Sequence, residues 1–171
     1  MAITLADQYY LKALDEYDYN IEFSIENLNY ALSYDQEHVG ANCLMGQLYV
    51  EYFEDYEKAE AHFQTALSSN PQHIATCKEY CYLLIRLRKF DMALKLVKHL
   101  YHIVGVDLST VIRLEALICE YQKNFSKAKK LLRKATEEAY NSETMYFLKG
   151  ELRRVEGKER DGSEYNVEVV S

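Results

Sequence analysis

The chain has 171 residues, 49% of them hydrophobic, and a formal net charge of −7. With only 6 Gly and 1 Pro it has little material for a loop-rich or β-rich fold and nowhere to place a Gly-rich phosphate loop. An acidic total also weighs against a surface built for nucleic acid.

That total hides an asymmetry. Residues 1–73 carry −11, residues 74–154 carry +7 and residues 155–171 carry −3. A chain so polarised suits a partner with its own charge pattern, or self-association. The first ten residues hold no base and no apolar run, so no secretory leader is expected. No stretch approaches the roughly 18 apolar residues of a membrane span. The four cysteines (Cys43, Cys77, Cys81, Cys119) fall inside helical patterns and read as reduced thiols. A cytoplasmic location is the expectation.

Helices are predicted over 5–17, 21–34, 39–52 and 56–69, with Asp55 as the N-cap of the fourth. Asn70-Pro71 marks a turn. The fifth helix is expected over 73–87 and the sixth over 91–104. Gly105 then stands where a left-handed residue closes a helix. Asp107 or Ser109 starts a seventh that runs to 121, and an eighth covers 126–140. A ninth, 143–155, should end at Gly157. Residues 157–171 are charged and aperiodic, so a disordered acidic tail is expected after a helical domain of residues 1–156.

A set of columns recurs every 34 or 35 residues. Ser24, Ala59, Ala93 and Ala128 form one. Leu28, Phe63, Val97 and Leu132 follow four residues later, and Ala31, Ala66, Leu100 and Ala135 three after that. In the alternate helices Ala13, Gly46, Cys81, Ala116 and Gly150 form a small-residue column. Tyr56, Phe90 and Phe125 sit at the start of the following helices. The clearest copy holds Gly46, Tyr49, Tyr56, Ala59, Phe63, Ala66 and Pro71, with one extra residue in the inner turn. This pattern resembles the tetratricopeptide repeat (TPR), a helix–turn–helix unit of that period. The resemblance implies an all-α fold, a right-handed α-solenoid of antiparallel helix pairs. It would hold about four repeats and a closing helix that caps the last apolar face. The first repeat is degenerate, with Ser24 in place of Ala.

The family's ligand contacts come from first-helix residues beside the small column, on the concave side. Carried over, the resemblance implies a groove with Gln47 in the second unit, Lys78, Tyr82 and Arg86 in the third, and Arg113, Leu117 and Tyr121 in the fourth. Cys43, Val50, Glu51, Ile85 and Glu120 fall in the same columns. Such a surface suits an acidic or amphipathic peptide. One TPR subgroup grips a C-terminal carboxylate with a Lys–Asn–Asn–Lys–Arg clamp. Here Tyr82 and Leu114 stand where that clamp needs Asn, so chaperone-tail binding is not implied.

Other chemistry is thin. Cys77 and Cys81 with His99 and His102 have ligand-type side chains, but Cys81 fills the packing column, and no metal or cofactor is expected. Asp15, Glu16 and Asp18, like Glu54, Asp55 and Glu57, read as surface charge, and no catalytic residue is expected. Lys127, Lys129, Lys130, Arg133 and Lys134 make the densest basic run, read as a solvated helix face and not as a nucleic-acid site. The function implied is a non-enzymatic adaptor or scaffold that binds a protein or peptide. A small TPR chaperone for a secreted or assembled protein is the alternative.

Overall fold

The computed structural model describes residues 3–168, with side chains to residue 160. Nine α-helices and no strand are found among them: α1 (Leu5–Glu16), α2 (Ile21–Tyr34), α3 (Val39–Glu51), α4 (Tyr56–Ser69), α5 (Ile74–Arg86), α6 (Phe90–Leu100), α7 (Leu108–Tyr121), α8 (Phe125–Glu137) and α9 (Ser142–Glu168). The chain divides into two compact units, Met1–Leu83 and Leu84–Ser171.

In the first unit α1 pairs with α2, and α3 with α4. The pairs close on the small columns. Ala13 and Ser24 are fully buried, and the Ser24 hydroxyl donates to the Ala13 carbonyl at 2.8 Å. Serine therefore replaces alanine without leaving a buried polar atom unpaired. Gly46 lies under the Phe63 ring, where a methyl would sit 2.6 Å from a ring carbon. Tyr10 covers Gly40 in the same way. Leu28, Ala31, Leu44 and Leu48 fill the core between α1, α2 and α3. Asn42 is buried and satisfied: its amide donates to the carbonyls of Gln36 and His38, and its oxygen lies 2.9 Å from His62 Nδ1. Since that oxygen can only accept, the proton is on Nδ1. Burial pushes the His62 pKa down, which favours this neutral ring.

In the second unit α8 packs against both α7 and α9. Ile112, Ala116 and Cys119 of α7, Ala128, Leu132 and Ala135 of α8, and Leu148 and Val155 of α9 make one core. Asp107 caps α7, accepting from the backbone N–H of Ser109 and Thr110.

The turns repeat as well. Glu54, Arg88 and Lys123 each have positive φ (51°, 57° and 61°) and stand 34 and 35 residues apart. After Arg88 and Lys123 the next N–H reaches back five residues, from Lys89 to Leu84 and from Asn124 to Cys119, at 2.8 Å. That is the six-to-one bond of a Schellman close. After Glu54 the bond runs from Asp55 to Tyr49, one residue wider, which absorbs the extra residue in that turn.

Three helix ends differ from expectation by three residues or more. α8 closes at Glu137 and not at 140. α6 stops at Leu100, not at 104: 101–105 form turns that bury Ile103 while Val104 is exposed, and Gly105 has φ 83°. α9 does not stop at Gly157 and runs to Glu168. The tail expected over 157–171 lies partly outside the described residues, since side chains are described only to residue 160.

Two outcomes are expected. Gly46→Ala should lower stability by up to about 2 kcal/mol, because overpacking costs about 1–3 kcal/mol and better helix propensity returns about 1. Arg88→Gly and Lys123→Gly should each raise stability, by up to about 1 kcal/mol, by relieving a left-handed backbone. Urea denaturation checks all three.

Candidate functional site

None of the seven residues implied as partner contacts is fully buried. In the first unit Gln47 on α3 and Lys78 and Tyr82 on α5 are half-buried. In the second unit Arg86 and Tyr121 are exposed, while Arg113 and Leu117 on α7 are half-buried. Three companions from the same columns are shut away: Cys43, Ile85 and Glu120 are buried.

The face in the first unit is less basic than its columns suggest. Glu79 is half-buried beside Lys78, and burial pushes its carboxyl pKa up against a hydrogen bond from Gln47 that lowers it. The Tyr17 hydroxyl donates to Glu51 at 2.7 Å. Tyr17 and Glu79 were not among the implied contacts. Tyr17 could have been found by extending the contact column into the degenerate first repeat.

Arg113 does not simply face outward for a ligand carboxylate. Its guanidinium lies 4.9 Å from the centre of the Phe147 ring, and Nε is 3.9 Å from Glu151. Both partners are on α9. Arg113 and Phe147, with Thr110 and Glu143, line a cleft of about 280 Å³ between α7 and α9.

Beside it lies a charged network. Arg154 donates twice to Glu120, at 2.8 Å through Nη2 and also through Nη1, and Lys158 donates to Glu120 at 2.8 Å. Arg154 also donates to Glu151 at 3.0 Å. Burial pushes the Glu120 carboxyl up, but the bonds from Arg154 and Lys158 outweigh it and hold the pKa below 4.5. Glu120 and Arg154 are 34 residues apart, one repeat, so reading charge along the columns would have found the pair.

The basic run on α8 is drawn into the same packing. Lys127 pairs with Glu115 at 3.2 Å, Lys129 with Glu159, and Arg133 with Glu156 at 3.5 Å. Two of these three acids come from α9.

A second cleft, about 470 Å³, opens between α2, α3 and α4. It is lined by Leu32, Glu37, Lys58 and His62 among others, and by none of the seven implied contacts. Lys58 is engaged by Asp55 at 2.9 Å. Among the described residues no group of three or more His, Cys, Asp or Glu could hold a metal. Cys77 and Cys81 are fully buried, and burial pushes their thiols up to about 11 and about 12. Both are protonated packing groups at neutral pH.

The tetratricopeptide repeat family model matches residues 39–73, the span of α3, α4 and the turn that follows. No curated protein matches the chain in sequence. Solved structures do. A tetratricopeptide repeat protein from Parabacteroides merdae superposes with a TM-score of 0.75 at 17% identity, covering 94% of this chain and 62% of its own. PilW, described as a widely conserved type IV pilus biogenesis factor, gives 0.71 at 17% identity over 80% of this chain and 63% of its own. MamA (residues 41 to the end) from Desulfovibrio magneticus gives 0.67 at 15%, covering 99% and 100%. Residues 39–73 are a tetratricopeptide repeat, and the chain has the fold of that family. Its nine described helices fit about four TPR units and a closing helix. The chain spans less than two thirds of PilW and of the Parabacteroides protein.

Glu120→Gln should lower stability by about 2 kcal/mol, the scale of losing hydrogen bonds from charged donors. Because the folded pKa lies below the ordinary 4.5, the contribution of Glu120 is present above that value and is lost as pH falls below it. Wild-type stability should therefore drop on acidification through this range more steeply than that of Glu120→Gln. Urea denaturation across pH 3–7 (roughly the window of carboxylate titration) checks both.

Proposed function

We propose that the chain is a non-catalytic interaction module that binds a protein or peptide partner through its first-helix faces. The observation that carries the reading is a division of labour along those helices. The small columns Ala13, Gly46, Cys81 and Ala116 are buried, which leaves the residues beside them to meet a partner. Gln47, Lys78 and Tyr82 offer amide, cation and phenol in the first unit. Leu117 and Tyr121 offer apolar and phenolic surface in the second, with Arg86 exposed beside its start. Preformed helices lose little conformational freedom on binding, which favours capture of an extended or helical segment.

Lys78 in the first unit and Arg86 in the second each suit an acidic or amphipathic ligand, though Glu79 and Glu51 in the first unit favour one that also carries a base. Self-association would use the same polarity of charge, −11 in the first unit and +4 in the second. The four cysteines are free thiols, which fits a reducing compartment such as the cytoplasm. No described helix is long and apolar enough to cross a membrane. A second reading, a chaperone for a protein that is later assembled, draws on the likeness to PilW, whose description is a pilus biogenesis factor. Co-expression that solubilises one specific client would favour it over an adaptor that joins two folded proteins.

The test compares affinity capture by the wild-type chain with capture by two variants, Lys78→Glu/Tyr82→Ala and Leu117→Ala/Tyr121→Ala. Arg113 is left intact because it packs against α9. A partner enriched by wild type should fall at least about tenfold with one variant (about 1.4 kcal/mol) at unchanged helicity. Undiminished capture by both would remove the assignment.

A further inference from the structure

In the TPR pairs each first helix carries a strip that its second helix covers. On α3 the strip is Asn42, Gly46 and Tyr49. From α4, His62 bonds Asn42, Phe63 lies on Gly46, and His62 stacks on Tyr49 with ring centres 5.4 Å apart. On α7 the strip is Ile112, Ala116 and Cys119, all buried in the core that α8 completes. One repeat further, on α9, the same positions hold Tyr146, Gly150 and Arg153.

There the strip is open. α9 turns Leu148, Leu152 and Val155 onto the core, and positions 146, 150 and 153 fall on the opposite side of a 3.6-residue helix. Tyr146 is 78% exposed, and a methyl on Gly150 would meet nothing within 4 Å. Arg153 is exposed, and so is Lys149 at the edge of the strip.

The charge selects among occupants. A second copy laid across the strip by two-fold symmetry would gather Lys149 and Arg153 of both copies at one interface, which is unfavourable. A helix bearing carboxylates would be attracted to both. We propose that the Tyr146–Gly150–Arg153 strip of α9 is a docking site for an acidic amphipathic helix of a protein partner, seated as α4 is seated on α3. The occupant places a large apolar side chain over Gly150, as Phe63 does over Gly46. It carries small residues four before and three after, as Ala59 and Ala66 do, and directs carboxylates to Lys149 and Arg153. This surface shares no residue with the first-helix contacts proposed above and does not depend on them.

The test uses the full chain and a fluorescent, hydrocarbon-stapled peptide of residues 55–70, the α4 segment with its N-cap, whose formal charge is −2. The staple is needed because a helix this short is marginal alone. Fluorescence anisotropy should show saturable binding with a Kd of about 10–100 µM, and raised salt should weaken it. Gly150→Leu and Arg153→Glu should each weaken binding at least about fivefold, as should Phe63→Ala in the peptide. Both protein changes are at exposed positions and should not lower the melting temperature by more than about 2 °C. Lys78→Glu/Tyr82→Ala should leave peptide binding unchanged, which separates this site from the first-helix reading. Absence of saturation up to about 1 mM, or equal affinity for wild type and both protein variants, would overturn the proposal. So would a dimer in sedimentation, without peptide, that Gly150→Leu abolishes, since the strip would then belong to a second copy.

Discussion

The contact between the Phe63 ring and the bare backbone at Gly46 sets how close α4 comes to α3, and the pair's other contacts follow from that distance. At this approach His62 reaches both Asn42 and Tyr49, and Ala59 and Ala66 are fully buried. Close approach needs a small side chain on one helix wherever a large one stands on the other. The same rule operates at Ala13 in the core with Leu28, and at Ala116 in the core with Leu132. Its chemistry is indifferent, so glycine, alanine and serine all serve. Beside the column, packing takes up Cys43, Ile85 and Glu120, while Gln47, Lys78, Tyr82 and Leu117 stay half-buried and Tyr121 exposed.

That rule is why most of the fold could be read from sequence. Packing columns repeat because each unit faces the same steric problem, and period exposes them. The expected bounds of α2 and α4 coincide with those found, since Asn20 and Asp55 cap their starts and Asp35 and Asn70 follow their ends. What escaped were features that depend on contacts between distant residues. The glycine at 157 costs α9 about 1 kcal/mol of propensity, yet Glu156, Lys158 and Glu159 on either side of it are tied to Arg133, Glu120 and Lys129. Those partners lie more than twenty residues upstream, beyond the reach of a local reading. α6 ends early for a similar reason: burying Ile103 requires the chain to turn before it.

The candidate contacts were legible only as positions, not as chemistry. The columns located Gln47, Lys78, Tyr82, Leu117 and Tyr121 on accessible faces, but they could not show that Arg113 is stacked on Phe147 or that Glu79 crowds Lys78. Nor did the basic run on α8 reveal that Lys129 and Arg133 pair with acids of α9. α9 is thus more than a cap over Leu132 and Ala135. It carries charge that fits α7 and α8 on one side, and on the other it keeps the shape of a first helix awaiting its second.

The central claim, that close approach at the small column holds each pair in register, can be measured by a double-mutant cycle on Gly46 and Phe63. Stability is determined for wild type, Gly46→Ala, Phe63→Leu and the double variant. The account predicts that Phe63→Leu makes room for the added methyl, so that the double variant is no less stable than Phe63→Leu alone and the coupling is about 1 kcal/mol or more. Additive losses, within about 0.3 kcal/mol, would show that the two positions do not meet as described and would contradict the register.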